Sequence, residues 1–156
     1  MQIEELVAKK LLEKHLTIST AESCTGGLLS SLLTDVSGSS AYITYNVVTY
    51  ANEIKSKILG VSNEILEKYG AVSSECANAM AIGLKRVSNS DICLVTTGIA
   101  GPGGGSEDKP VGLCYVGVFI NGEVKTFKIN FPPETSRKEM KLLFARKSLS
   151  ILNEML

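Results

Sequence analysis

The sequence predicts a three-layer α/β/α sandwich around a mixed sheet. Three observations carry that expectation. Helical and β-branched segments alternate from Ile3 to Gly98, two strands then flank Asn121-Gly122, and an amphipathic segment opened by Ser136 closes the chain. Alternation implies parallel strands with helices on both faces, and Asn-Gly between two apolar runs is the strongest short hairpin signal. The 156 residues suit one domain with its own core, spanning 1–156.

Ile3, Leu6, Val7 and Leu11 recur at helical spacing and predict an N-terminal helix. "LTIST", residues 16 to 20, reads as a short strand, and Leu28, Leu29, Leu32 and Leu33 as the apolar face of a helix starting near Thr25 or Gly26. "AYITYNVVTY" is β-branched and aromatic, hence a strand. Asn52 is suited to cap a helix through Leu59. Ser62 is suited to cap another, with a Val61–Leu66 staple and Gly70 as its stop. A further helix starts near Ser73 or Ser74 and shows Ala77, Met80, Ala81 and Leu84 on one face. "DICLVTTG" is an apolar strand entering the loop "GIAGPGGGSEDKP". "VGLCYVGVFI" and "EVKTFKINF" form the hairpin. Ser136-x-x-Glu139 is a capping box for a helix burying Met140, Leu143, Phe144 and Ile151.

Lys plus Arg and Asp plus Glu are 16 each, so no one-signed field exists to attract nucleic acid or an anionic membrane. The absence of Trp also argues against a base-stacking platform. The charged N-terminal segment is not a signal peptide, no apolar run is long enough to span a bilayer, and cytoplasmic residence with reduced thiols is expected. Cys24, Cys76, Cys93 and Cys114 are widely spaced, and with His15 as the only histidine they make a poor zinc set. No metal or other cofactor is expected. Apolar helix faces make a homo-oligomer, a dimer or larger, plausible.

"STAESCTGG", residues 19 to 27, places Ser23, Cys24 and Thr25 between Glu22 and a glycine pair. A helix starting there would aim unpaired N–H groups at the turn, a setting that suits an anion or a developing oxyanion. The spacing fits equally a plain turn with Ser23 or Thr25 as cap. A serine nucleophile needs a base. His15, late in the first helix, has no tie to the turn, which directs attention to Lys55. In the first turn of its helix a lysine meets the unfavourable end of the macrodipole, which lowers its pKa. The structural alternative is an exposed helix lysine. The loop after the apolar strand lacks both the Walker A and the G-x-G-x-x-G registers, yet its glycines permit close backbone approach to a ligand.

"TAESCTGGLLSSLLTDVSGSSAY", "VTYANEIKSKILGV", "YGAVSSECANAMAIG" and "TGIAGPGGGSEDKPVGLCYVGV" together resemble the C-terminal domain of the competence-damage-inducible protein family, in its stand-alone form. Enzymatic members of that family are nicotinamide-nucleotide amidases. The resemblance therefore implies a small-molecule nucleotide substrate, nicotinamide mononucleotide, hydrolysed to nicotinate mononucleotide and ammonia in pyridine-nucleotide salvage. It implies Ser23 as nucleophile, Lys55 as base, Tyr50 in support, and Thr97 and Arg137 completing the pocket. Glu22, Thr25, Gly26, Gly27, Gly98 and Gly101 join Arg137 in the expected substrate-binding set. Cys24 is a rival nucleophile. Asn46 stands where relatives often have glycine, and asparagine still tolerates an unusual backbone angle there. Two alternatives accompany this reading: an amidase for a different small amide, and a non-catalytic interaction module linked to competence or DNA damage.

Overall fold

The computed structural model describes residues 1–156. Five strands form one mixed sheet: β1 (Ile18–Glu22), β2 (Ile43–Val48), β3 (Ile92–Gly98), β4 (Leu113–Ile120) and β5 (Glu123–Asn130), in the order β2-β1-β3-β4-β5. β1 runs parallel to both β2 and β3, and β3, β4 and β5 pair antiparallel. Six α-helices complete the fold: α1 (Ile3–Glu13), α2 (Leu28–Thr34), α3 (Asn52–Leu59), α4 (Asn63–Tyr69), α5 (Ser74–Ser88) and α6 (Arg137–Met155). Helices α1, α2 and α6 cover one face, and α3, α4 and α5 the other. The expected α/β sandwich is the observed one.

The layering follows from the side-chain period of two in a strand. In β3, Ile92 and Leu94 enter the core under α1, α2 and α6, whereas Cys93 and Val95 enter the core under α5. A strand buried on both faces reads as a continuous apolar run, as "ICLV" does. Gly117 in β4 allows α5 to lie directly on the sheet, since a Cβ there would stand 2.9 Å from the Ala77 carbonyl oxygen. Cys76, Cys93 and Cys114 are buried and free, as small core fillers should be. No helix is long and apolar enough to cross a membrane.

Several boundaries differ from the sequence reading. The first strand is 18–22 rather than 16–20, and the second begins at Ile43 because residues 39–41 form a 3-10 turn. Helix α2 starts at Leu28, not at Thr25 or Gly26: Gly26 and Gly27 take positive φ values of 62° and 104°, which a helix cannot contain. Ala51 is the N-cap of α3, so Asn52 is its first residue and caps nothing. Asn46 has no positive φ; its side-chain oxygen accepts from the Thr20 N–H at 3.2 Å, where the β1–β2 register slips. Ser62 and Ser136 do cap their helices through the Ile65 and Glu139 N–H groups. Leu143 is only half-buried, and Ala145, Leu149 and Leu152 complete the buried stripe of α6 instead.

The topology fixes where a ligand belongs. From β1 the chain crosses through α2 to β2, then returns through α3, α4 and α5 on the other face to β3, on the opposite side of β1. The connections after β1 and β2 therefore leave for opposite faces, and a crevice opens at the carboxyl ends of the parallel strands. Ser23, Tyr50 and the loop after Gly98 all lie at those ends.

Candidate active site

Lys55 is the most anomalous residue of the chain. Its side chain is 1% exposed, among the most buried large side chains of the molecule. It has no carboxylate partner. Its Nζ donates to Ser23 Oγ at 3.1 Å and to the Tyr50 carbonyl oxygen at 2.8 Å. An ammonium removed from water and left without a counter-charge is destabilised. Burial accordingly holds the Lys55 pKa below its ordinary value, with the nearby thiols of Cys76 and Cys24 opposing that shift. That shift favours the neutral amine, the form able to accept a proton from the Ser23 hydroxyl. Burial, rather than the helix dipole that the sequence suggested, is the cause of the shift.

Ser23 is presented by a turn that Glu22 locks in place. Glu22 is wholly buried, and its carboxylate accepts five hydrogen bonds. Thr25 Oγ1 donates at 2.6 Å, Gly27 N at 3.2 Å and Leu29 N at 2.8 Å to one oxygen; Ser30 N at 2.9 Å and Ser30 Oγ at 2.6 Å donate to the other. The N-terminus of α2 is thus already occupied by an internal anion. That corrects two expectations. Glu22 lies beneath the turn and does not line the cleft, and the first amides of α2 are not free for a substrate. Thr25 is likewise turned inward, its hydroxyl paired with Glu22 and with Thr96 Oγ1 at 2.9 Å. The amides of Ser23, Cys24 and Thr25 remain without a protein acceptor on this turn.

Beside the turn lies an open cleft of about 240 Å³ lined by Cys24, Tyr50, Arg137 and the loop from Gly98 to Gly104. Arg137, the first residue of α6, bridges two walls: Nη1 donates to the Gly101 carbonyl oxygen at 2.6 Å and Nη2 to Tyr50 Oη at 3.2 Å. The amides of Ala100, Gly101, Gly103 and Gly104 donate to no group in the protein, so the loop offers an array of free N–H donors. Larger cavities exist at the far end of the sheet and along β5, but neither contains a nucleophile with a base.

The structure brings Ser23, Lys55, Tyr50, Gly98, Gly101 and Arg137 to one end of the sheet, with Gly26 and Gly27 forming the turn itself. Thr97 is fully buried at the same end, but its hydroxyl donates to the Ala71 carbonyl oxygen at 2.8 Å and is held away from the cleft. His15 is exposed beyond the end of α1, far from any role here. Two neighbours went unread in the sequence. Cys114 Sγ lies 3.8 Å from Cys24 Sγ, and Lys141 reaches over Gly26. Cys114 looks like any core residue of an apolar strand, and only the helical spacing of Lys141 from Arg137 could have marked it. No three His, Cys, Asp or Glu side chains gather to hold a metal ion.

Comparison with known proteins converges on one family. The profile of the CinA C-terminal domain matches residues 1–156. A competence-damage inducible protein of Clostridium beijerinckii is 49% identical over 156 residues, covering all of this chain and 38% of the relative. One from Alkaliphilus metalliredigens is 55% identical over 127 residues, covering 81% of this chain and 31% of the relative. The chain thus spans between three and four tenths of the length of these relatives. Among solved structures, the competence/damage inducible protein CihA from Agrobacterium tumefaciens superposes with a TM-score of 0.91 at 42% identity, covering 96% of this chain and 93% of the other. A CinA superfamily protein from Escherichia coli superposes with a TM-score of 0.93 at 33% identity, covering 99% and 91%. Matched along its whole length, the chain belongs to the CinA C-terminal domain family.

Proposed function

We propose that this protein is an amidohydrolase that converts nicotinamide mononucleotide to nicotinate mononucleotide and ammonia, with Ser23 as nucleophile and Lys55 as general base. The observation that carries the reading is the buried 3.1 Å contact between Lys55 Nζ and Ser23 Oγ, made by a lysine with no carboxylate partner. A Ser–Lys pair is an established solution to acyl transfer.

Neutral Lys55 takes the Ser23 proton as Oγ attacks the carboxamide carbon. The tetrahedral oxyanion is held by the free amides of Cys24 and Thr25, adjacent to the nucleophile. Protonated Lys55 then delivers its proton to the departing amine, releasing ammonia and leaving the nicotinoyl group esterified to Ser23. Water, deprotonated by Lys55, hydrolyses that ester, and the proton returns to Ser23. The Tyr50 carbonyl fixes the lysine amine, while Tyr50 Oη and Arg137 frame the substrate. The phosphate is received by Arg137 and the free amides of the Gly98–Gly104 loop. Thr97 holds the Ala71 backbone against this end of the sheet. Cys24 faces the cleft but does not contact the base in the way Ser23 does.

The test is ammonia and nicotinate mononucleotide formation from nicotinamide mononucleotide in the presence of chelator. Ser23→Ala and Lys55→Met each lower the rate by about a thousandfold or more, while Cys24→Ala stays within about tenfold of wild type. A dead Cys24→Ala beside an active Ser23→Ala overturns the assignment of the nucleophile. A folded wild type that releases ammonia from other amides only overturns the substrate.

A further inference from the structure

The amidase reading gives Arg137 a role but none to the other cations at the start of α6. Arg137 and Lys138 occupy its first turn with one acid, Glu139, between them and Lys141. The amino end of a helix carries partial positive charge, so cations there are disfavoured by about 0.3–1 kcal/mol each. None of the ion pairs in the molecule includes Arg137 or Lys141, although the chain holds as many acids as bases. Residues four apart share one helix face. On that face Arg137 bonds to Gly101 and Tyr50 at the cleft. Lys141 extends over the nucleophile turn: a methyl group added at Gly26 would stand 3.4 Å from its Nζ. Gly26 N in turn donates to the Ser23 carbonyl oxygen at 3.1 Å, so the ammonium sits directly over the turn that presents Ser23. Lys141 Nζ makes no ion pair or hydrogen bond there.

We infer that Lys141 is a specificity-determining residue. With Arg137 it forms a two-cation clamp for a phosphomonoester, selecting the nucleotide over the corresponding nucleoside. The inference rests on the amidase reading and deepens it. A terminal phosphate carries between one and a half and two negative charges near neutral pH. Two cations and the free loop amides match that charge, whereas a single arginine leaves it half-compensated. Glycine at position 26 keeps the turn bare beneath the lysine, as the approach of the ligand requires.

The experiment compares kcat/KM for nicotinamide mononucleotide and nicotinamide riboside in wild type, Lys141→Ala and Lys141→Arg. A charge-assisted contact contributes enough that Lys141→Ala should lower kcat/KM for the nucleotide about tenfold or more, through KM, with the riboside unchanged and Lys141→Arg restoring most of the difference. Equal loss on both substrates overturns the inference, because a merely structural lysine would act on both. No loss on either also overturns it. Calorimetric titration of the same proteins with nicotinamide mononucleotide and with inorganic phosphate separates the two readings. Lys141-dependent binding without hydrolysis supports the clamp and removes the amidase. Hydrolysis whose nucleotide preference ignores Lys141 keeps the amidase and removes the clamp. Binding of neither probe removes the clamp outright.

Discussion

Replacing Glu22 by glutamine isolates the device that shapes the nucleophile turn. The carboxylate accepts from Thr25, Gly27 and Leu29 on one oxygen and twice from Ser30 on the other. Bonds to a charged acceptor contribute about 1.5–3 kcal/mol each, so complete removal approaches the whole stability of a domain, and Glu22→Ala is too severe to be informative. Glutamine keeps the shape but turns one acceptor into a donor. With its nitrogen on the Gly27 and Leu29 side, two backbone donors lose their acceptor. With the nitrogen on the other side, only the Ser30 N–H is stranded, because the Ser30 hydroxyl can rotate to accept. The second orientation is therefore adopted. One orphaned backbone donor costs about 1–3 kcal/mol, and the remaining bonds fall to about half strength as the charge is lost. The expected loss is at least about 3 kcal/mol. Urea unfolding followed by far-UV circular dichroism measures it, since the chain has no Trp to report by fluorescence. A glutamine variant within about 0.5 kcal/mol of wild type, the ordinary range for an inconsequential substitution, refutes the keystone role of this carboxylate.

Two further outcomes test the packing and the charge on Lys55. Folded Lys55 releases its proton at lower pH than its ordinary value of 10.5, so between those two points the unfolded chain binds more protons and the folded state gains stability as pH rises. Wild type should therefore gain on Lys55→Met as pH climbs toward 10.5, by up to about 1.4 kcal/mol per pH unit, in urea melts run at successive pH values; parallel stability curves contradict an uncompensated buried amine. Gly83→Ala sets a helix-propensity gain of about 1 kcal/mol against a Cβ placed 1.8 Å from the Leu59 carbonyl oxygen, where α5 meets α3. A net loss of at least about 2 kcal/mol is expected, and a stabilised variant would show that the two helices separate freely.

The fold was legible because its signals are local. Asn121-Gly122, the Ser62 and Ser136 caps and the unbroken apolar run of β3 each state their structure within a few residues. Boundaries failed where tertiary contacts decide them. Nothing between Ser23 and Leu28 announces that Glu22 will fold back onto the helix amides, displacing the start of α2 to Leu28. The same holds for Asn46, whose side chain repairs a register slip visible only once β1 and β2 are paired. At the site, Ser23 and Lys55 were recognisable from their turn and helix settings together with the family resemblance, although 32 residues separate them. Glu22, Thr25 and Thr97 are at the right end of the sheet, but their polar atoms bond to the protein itself. Residue type alone does not tell a group that meets the ligand from one that holds the frame. Lys141 was missed because its helical spacing from Arg137 gains meaning only once Gly26 is placed beneath it.

The central claim is that Ser23, activated by Lys55, becomes covalently acylated. Rapid acid quench of the enzyme turning over nicotinamide mononucleotide, followed by peptide mapping by mass spectrometry, tests it directly. The account predicts a nicotinate-mononucleotide ester on Ser23 that forms in Cys24→Ala and is absent from Ser23→Ala. An adduct on Cys24, or undiminished turnover in Ser23→Ala, contradicts it.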